Sequence, residues 1–178
     1  MLTSLTTRLK KYSAELLIVA AFAVLWFSGS SESESRFTKY KISSSSGAFT
    51  RINTAYGDVT NLTVTIKSTG RPMVIGLVHD GSAVGNYCNM SSISGGATLD
   101  RTESYFNLLE DGTSVAEYLL NTTALASTGT STFIPCSSYQ VMRIPAAGSR
   151  TYKVQCRAGY ASHTCGVAYA KLYAYELP

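Results

Sequence analysis

The sequence predicts a mainly β protein, an antiparallel β-sandwich of about eight short strands that follows one hydrophobic α-helix. Charged residues make up only 15% of the 178 residues, and there are 12 tyrosines. Aromatic and β-branched side chains suit a pleated, half-buried surface. From residue 37 onward, short runs with alternating apolar residues are separated by turn residues, which is the pattern of short strands. Before residue 28 the chain instead carries a continuous apolar run.

The N-terminal segment divides into a predicted helix, residues 1–27, and a predicted linker, residues 28–36. Residues 16–27 are all apolar, whereas residues 28–35 are only Ser, Gly or Glu. Apolar residues recur at alternating spacings of three and four, which is an a/d seam that winds helices together. This seam consists of Leu2, Leu5, Leu9, Tyr12, Leu16, Val19, Ala23 and Trp26. We expect a retained, self-associating anchor helix and a flexible tether behind it.

Two other interpretations fit parts of this segment. A basic cluster at residues 8–11 precedes the apolar run, as in a signal peptide, but residues 25–27 are bulky where cleavage requires small side chains. A lone membrane span needs about 20 apolar residues, and extending the run backwards would place Glu15 at membrane depth, which is costly. The sequence leaves lipid and protein both open as the surroundings of this helix.

Residues 37–178 form the predicted sandwich. Leu62, Val64 and Ile66 alternate with polar residues, as expected for a strand with one buried face. The sequence Asp111-Gly112 indicates a tight hairpin turn, because glycine tolerates positive φ. A second hairpin is predicted around the loop 145–149. The predicted strands cover residues 37–43, 48–52, 62–69, 73–79, 104–109, 115–120, 138–144, 150–158 and 166–177, and residues 121–135 read mostly as loop with at most one short strand. This number of strands in about 140 residues favours a jelly roll.

Four cysteines allow disulfides in three possible pairings. Cys156 and Cys165 are the best local candidates because they flank a turn-like segment between two strand-like runs. They are therefore expected to lie opposite each other on a hairpin. The alternative is that all four are free, buried thiols that act as small apolar residues.

The sequence carries no pattern typical of catalysis, metal binding or nucleic-acid binding. The net charge of +4 is spread along the chain, whereas nucleic-acid binding needs a concentrated basic face. There is no CxxC, and His79 and His163 lie far apart, so a zinc site is not expected. Asp80 and Asp111 both precede glycine, which turn chemistry explains. We predict no enzyme activity, no catalytic residue, no cofactor and no metal, and we expect His163 at the surface.

Four segments carry a resemblance to a known class of protein: residues 63–82, 108–120, 144–159 and 168–177. In order and layout they resemble the jelly-roll domains that end many phage tail fibres and related virion surface proteins. Those domains are similar in fold to tumour-necrosis-factor-like trimer modules. The resemblance covers roughly residues 60–178 and implies a homotrimer with an exposed surface used for attachment. It leaves open whether the chain is mounted as a head fibre, a capsid spike or a membrane-anchored surface protein.

The tyrosines of the last run raise a question of function. Val167, Tyr169, Lys171, Tyr173 and Tyr175 share one face of that run if it is a single strand. Aromatic faces with hydroxyl groups can contact a sugar or a receptor, but we favour a place in the sandwich core or along the trimer axis.

The leading hypothesis is a virion surface protein whose trimeric head attaches to a host cell, with a glycan as the expected ligand. Its expected partners are copies of itself, and other virion proteins or a membrane through residues 1–27. Receptor contact is expected from the loops 80–99, 121–135 and 157–164, and no individual receptor-binding residue is assigned. The alternatives are a decoration or connector protein without a receptor role, and a membrane-anchored bacterial sugar-binding module whose head lies outside the cytoplasm.

Overall fold

A computed structural model of the chain describes residues 39–82, 86–93, 101–123 and 131–178. All of them belong to one unit, Phe37–Pro178. The predicted helix 1–27 with its seam, and the predicted linker 28–36, lie outside the described residues and stay predictions. Within the described part of the chain, no helix has the length and apolar character that a membrane span requires.

The described residues are mainly β, as predicted, and all strand pairs are antiparallel. The strands are β1 (Tyr40–Ile42), β2 (Ala48–Arg51), β3 (Gly57–Ser68), β4 (Met73–His79), β5 (Asn89–Ile93), β6 (Arg101–Glu110), β7 (Thr113–Thr123), β8 (Ser131–Pro135), β9 (Gln140–Arg143), β10 (Gly148–Ala158), β11 (Thr164–Ala168) and β12 (Ala170–Glu176). One turn of 3-10 helix (Cys136–Ser138) lies between β8 and β9.

The strands form three four-stranded sheets in the orders β1-β12-β4-β9, β2-β11-β5-β8 and β3-β10-β6-β7. The first two are halves of one layer, because only Tyr169 separates β11 from β12. Backbone hydrogen bonds continue across the junction, from Tyr169 N to Gly47 O (2.7 Å) and from Asp80 N to Tyr169 O (2.9 Å). We call these two sheets the bent layer, with a β12 half and a β11 half, and we call β3-β10-β6-β7 the second layer.

The hydrophobic core draws side chains from both layers. Leu62, Val64 and Ile66 are buried and alternate with exposed residues along β3, which confirms the predicted alternation. Phe106 of the second layer and Leu172 of the bent layer are fully buried in the same core cluster. Burying a side chain of this size contributes about 1.5–3 kcal/mol, so this shared core is what holds the two layers together.

The predicted turn at Asp111-Gly112 is confirmed. The two residues join β6 to β7 and have φ values of 50° and 85°, as in a type I′ hairpin turn. The Asp111 carboxylate also accepts hydrogen bonds from the Thr151 backbone N–H (2.8 Å) and from Arg150 (2.7 Å). These two donors lower the pKa of Asp111.

The predicted hairpin around residues 145–149 is wrong. β9 pairs with β4 in the bent layer, whereas β10 pairs with β3 and β6 in the second layer. The loop between them crosses from one layer to the other, a distance of about 10 Å. Alternating apolar residues show which face of each strand is buried, but they do not show which strand lies beside it.

Two strands, β5 and β8, fall in segments that the sequence predicts to be wholly or mostly loop. β5 reads Asn-Met-Ser-Ser-Ile, and its first four residues are buried. The buried Ser92 hydroxyl is satisfied by Ser104 Oγ at 2.8 Å, as a buried hydroxyl requires. Because its buried positions include small polar residues that hydrogen-bond in the interior, β5 lacks the apolar alternation by which strands are predicted.

The structure joins Cys156 to Cys165, but not across a hairpin. Cys156 lies in β10 of the second layer and Cys165 in β11 of the bent layer. Both are fully buried, so the bond crosses the core between the layers. Cys88 is bonded to Cys136, which leaves no free thiol among the four cysteines of the chain.

Candidate functional site

Two adjoining hollows of about 230 and 250 Å³ lie at the β11 half of the bent layer. They share Tyr87, Asn89 and Phe133 as lining residues. Met90, the neighbour of Asn89 in β5, is fully buried in the core, so Asn89 lies on the opposite, outer side of the strand. We call the pair the aromatic cleft, which is lined by Asn86, Tyr87, Cys88, Asn89, Phe133, Ile134, Pro135 and Tyr169.

Two exposed aromatic rings dominate the cleft. Tyr87 is 69% exposed and Phe133 is 55% exposed. Large aromatic side chains usually contribute their area to a core or to an interface. Two such rings exposed around one concavity are typical of a binding site, where a ligand supplies the missing contact.

Covalent and backbone bonds fix the two segments that carry these rings. Cys88, next to Tyr87, is joined by a disulfide to Cys136, which lies three residues after Phe133. Cys136 N donates to Cys88 O at 3.2 Å, and Asn89 pairs with Pro135 in the ladder of β5 and β8. The backbone segments that carry the two rings are therefore fixed before any ligand arrives, and such preorganisation reduces the entropic cost of binding.

Amide groups lie beside the rings. Asn89 Nδ2 donates to Tyr87 O at 3.0 Å, which orients the Asn89 amide. His79 fixes the other end of this segment, since its Nε2 lies 2.9 Å from Asn86 O and its Nδ1 accepts from Gly81 N–H at 2.9 Å. These two hydrogen bonds assign the proton to Nε2 of His79, and they hold Asn86 at the cleft wall.

Asp80 stabilises the start of the same loop. Its carboxylate accepts a hydrogen bond from the Ser45 hydroxyl and one from Ser82 N–H at 2.7 Å. These hydrogen bonds lower the pKa of Asp80 to about 2, and the one from Ser45 has the largest effect. The ionised carboxylate is therefore part of the folded loop over the ordinary pH range.

Tyr169 reaches the cleft from a left-handed backbone conformation. Its φ is 52°, a region that few non-glycine residues adopt. Its backbone N–H donates to Gly47 O and its backbone C=O accepts from Asp80 N–H. These two hydrogen bonds to other segments of the same chain hold the conformation. Backbone strain of this kind tends to cluster at functional sites.

The cleft has the chemistry of noncovalent recognition. It offers aromatic faces, amide groups and a phenol, and none of its lining residues is charged. In the described part of the chain, no group of three or more His, Cys, Asp or Glu side chains could hold a metal ion. Such a site suits a neutral ligand with an apolar face and several hydroxyl groups, which is the chemistry of a sugar.

A second exposed surface lies on the outer side of the β12 half. In one register row Tyr40, Tyr175, Val74 and Met142 are neighbours, and in the next row Ile42 faces Tyr173. The rings of Tyr173 and Tyr175 stack with centroids 5.9 Å apart. We call this surface the tyrosine face; its apolar members are Tyr40, Ile42, Val78, Met142, Tyr173 and Tyr175, and Val74 on the same side is buried.

The predicted face of the last run is confirmed only in β12. Tyr173 and Tyr175 point outward while Leu172 and Ala174 are buried, so a place for these tyrosines in the sandwich core is wrong. Val167, predicted on the same face, is instead buried in the core. The positive φ of Tyr169 shifts the alternation by one residue, and the two predicted faces exchange at that point.

The second layer carries an aromatic cluster of its own. The Arg157 guanidinium lies 3.6 Å from the Tyr105 ring centroid and 5.2 Å from that of Tyr56. The Tyr105 hydroxyl donates to Glu103 and the Tyr56 hydroxyl donates to Glu117. Burial of the Tyr56 side chain is the main cause that raises its pKa, and the hydrogen bond to Glu117 raises it further. Both tyrosine hydroxyls already have a hydrogen-bond partner within the protein. The Arg157 guanidinium contacts both rings, and cation–π contacts of this kind stabilise the fold.

The structure assembles the cleft from parts of the predicted receptor loops. Tyr87 and Asn89 come from the segment 80–99, and Phe133 comes from the segment 121–135. The third candidate segment, 157–164, contributes nothing to the lining. His163 in that segment is fully buried and packs edge-on against Tyr160 at 4.9 Å, so its predicted surface position is wrong. No individual residue of the cleft was predicted from the sequence; the adjacency of Tyr87 and Cys88 is a signal that could have indicated it.

No family model and no curated protein matches the chain. Among solved structures, the delta-endotoxin Cry8Ea1 from Bacillus thuringiensis is similar with a TM-score of 0.39 and 8% identity, over 74% of this chain and 20% of that one. The C-terminal domain of EclA, a sugar-binding protein, has a TM-score of 0.36 and 10% identity, over 70% and 76% of the two chains. An infectious bursal disease virus particle protein has a TM-score of 0.33 and 12% identity, over 78% and 35%. The chain thus spans about a fifth of the endotoxin. All three TM-scores lie below 0.5 and assign no function.

Proposed function

We propose that this chain is a sugar-recognition protein of a virion surface, and that the aromatic cleft binds a host-cell glycan. The observation that carries the proposal is the pair of exposed rings, Tyr87 and Phe133, which flank amide groups and lie on segments joined by the Cys88–Cys136 disulfide. Aromatic rings pack against the C–H face of a sugar, while amides hydrogen-bond its hydroxyls.

The proposal includes a jelly-roll fold for residues 37–178. Each bent strand of the first layer counts as one strand: β1 with β2, β4 with β5, β8 with β9, and β11 with β12. The eight resulting strands then have the orders 1-8-3-6 in the bent layer and 2-7-4-5 in the second layer. This is the order expected of a double-sheet jelly roll, the architecture of many capsid and lectin domains.

We further propose that copies of the chain associate as a homotrimer through the tyrosine face. Tyr40, Ile42 and Met142 on this face are 53%, 43% and 66% exposed. Monomeric proteins rarely expose contiguous apolar patches beyond a few hundred Å², so a partner surface is the favoured explanation. In this proposal residues 1–27 attach the trimer to other virion proteins or to a membrane, and neither a cofactor nor nucleic acid takes part.

Binding of the full chain to an array of cell-surface glycans tests the sugar proposal. Tyr87→Ala and Phe133→Ala should each weaken binding at least tenfold, because stacking on an aromatic ring is lost. Tyr160→Ala removes an exposed tyrosine from outside the cleft and should leave binding unchanged. Equal binding by all four proteins would rule out the cleft as the sugar site.

A connector protein without a receptor role is the second candidate, and the tyrosine face is the observation that favours it. An extended apolar sheet face suits contact with another subunit, whatever the cleft does. Incorporation of the full chain into particles, together with failure to bind any glycan on the array, would select this candidate.

A further inference from the structure

The two hollows of the aromatic cleft have different walls. Asn86 and Tyr169 complete the first hollow and supply an amide and a phenol. Cys88, Ile134 and Pro135 complete the second hollow. The Pro135 ring lies on the outer side with Phe133, whereas the Ile134 side chain lies opposite Met90 in the ladder and packs against the core. The first hollow is therefore suited to hydroxyl groups and the second to an apolar group.

The size of the hollows limits what each can hold. Volumes of 230 and 250 Å³ equal about eight water molecules each at roughly 30 Å³ per water. Both lie below the roughly 300 Å³ at which pockets for drug-sized ligands begin. Each hollow therefore suits one sugar unit or one of its substituents.

A plain hexose would use the second hollow poorly. Its hydroxyl groups would lose water there without gaining a side-chain partner from Cys88 or Pro135, and an unpaired buried hydroxyl opposes binding. A methyl group in the same place would gain from leaving water. The Asn89 amide borders both hollows, so it can hydrogen-bond an amide group that lies between them.

We infer that the ligand carries an acetamido group, and that the cleft selects a neutral N-acetylhexosamine over the parent hexose. The sugar ring lies against Tyr87 and Phe133, its acetamido group meets Asn89, and the acetyl methyl enters the hollow beside Cys88 and Pro135. This inference rests on the proposed function, since it names the sugar that the proposed site would take. A neutral sugar is specified because the lining residues carry no charge.

Titration of the full chain with four sugars tests the inference without any variant. N-acetylglucosamine and N-acetylgalactosamine should each bind at least tenfold more tightly than glucose and galactose. Saturation-transfer NMR should show the strongest transfer to the acetyl methyl protons. Equal affinity for all four sugars would overturn the acetamido inference and leave the proposed sugar site standing. Absence of binding by all four would overturn the acetamido inference, and the glycan array would then decide the proposed sugar site separately.

A pair of substitutions separates the two hollows. Pro135→Ala removes most of a ring from the apolar wall, and it should weaken N-acetylglucosamine binding while leaving glucose binding unchanged. Phe133→Ala removes a ring that borders both hollows, and it should weaken both sugars by a similar factor. Equal loss of both sugars in Pro135→Ala would contradict the position assigned to the methyl group.

Discussion

The two halves of the bent layer present different outer surfaces, although the strands β11 and β12 run on from one half to the other. The β12 half carries the tyrosine face, where the apolar side chains of neighbouring strands follow the ladder register. The β11 half carries the aromatic cleft, where a loop, a disulfide and a strand end create a concavity. A regular face suits another broad surface, and an irregular one suits a small ligand.

Tyr169 marks the boundary between the halves. Its left-handed φ shifts the alternation of buried and exposed residues by one. As a result Val167 points into the core, while Tyr173 and Tyr175 point outward. One residue thus allows a continuous chain to present the tyrosine face in one half and the aromatic cleft in the other.

The largest expected effect on self-association comes from charging the tyrosine face. Tyr40→Glu combined with Met142→Glu places like charges on each copy of the chain. The apparent dissociation constant for self-association of the full chain should rise at least tenfold, which equals about 1.4 kcal/mol. Both side chains are more than half exposed, so the fold should be unaffected. Light scattering over a dilution series measures the effect.

The control for this pair is Leu119→Glu, which charges an exposed residue of the second layer and should leave dissociation unchanged. Dissociation at the same concentration in all three proteins would contradict self-association through the tyrosine face.

The next effect concerns Glu176, which fixes the end of β12. Its buried carboxylate accepts from Thr69 N–H (2.6 Å) and Thr69 Oγ1 (2.7 Å) and lies 3.6 Å from Lys39 Nζ. Burial opposes ionisation, but these hydrogen bonds and the Lys39 charge outweigh it and lower the pKa of Glu176 to about 2. The stabilisation is therefore present above about pH 4.5 and is lost as the pH falls towards 2.

Glu176→Gln should lower the free energy of unfolding at pH 7 by roughly 2–3 kcal/mol. It should also flatten the dependence of that free energy on pH between about 4.5 and 2. Urea unfolding at several pH values measures both. A variant with the same acid sensitivity as the original chain would show that Glu176 is not the titrating group.

A glycine in each half gives the third test. An added Cβ at Gly76 would lie 2.7 Å from Tyr173 Oη and 2.9 Å from the backbone oxygen of Tyr139, so Gly76→Ala should cost about 1–3 kcal/mol. At Gly166 the shortest contact, 2.5 Å, is to the Ser91 hydroxyl, which can rotate away. Gly166→Ala should therefore cost less. Thermal unfolding of both variants measures the two losses of stability. A larger loss in Gly166→Ala than in Gly76→Ala would contradict the packing described for Tyr173.

The smallest expected effect is at the boundary. Tyr169→Asn places a residue that tolerates positive φ and removes the ring from the cleft. The free energy of unfolding should change by less than about 0.5 kcal/mol, while sugar affinity should fall severalfold. Calorimetric titration and thermal unfolding measure the two quantities. Unchanged affinity would remove Tyr169 from the site.

The sequence predicts the regular parts of this molecule and misses the irregular ones. Alternation of Leu62, Val64 and Ile66 identifies β3, and Asp111-Gly112 identifies the turn between β6 and β7, because both signals are local. The cleft combines residues 86–89 with residues 133–135 and Tyr169, which only the sheet register and the Cys88–Cys136 bond bring together. Cysteine spacing does not specify that pairing, and no local sequence pattern predicts the left-handed backbone conformation of Tyr169.

The most direct test of the proposed sugar site follows the aromatic rings themselves. In the full chain with labelled tyrosine and phenylalanine, NMR signals of Tyr87 and Phe133 should shift saturably as N-acetylglucosamine is added, while those of Tyr173 and Tyr175 should stay in place. Shifts confined to the tyrosine face, or no shift at Tyr87 and Phe133 with any sugar that binds, would contradict the assignment of the aromatic cleft as the sugar site.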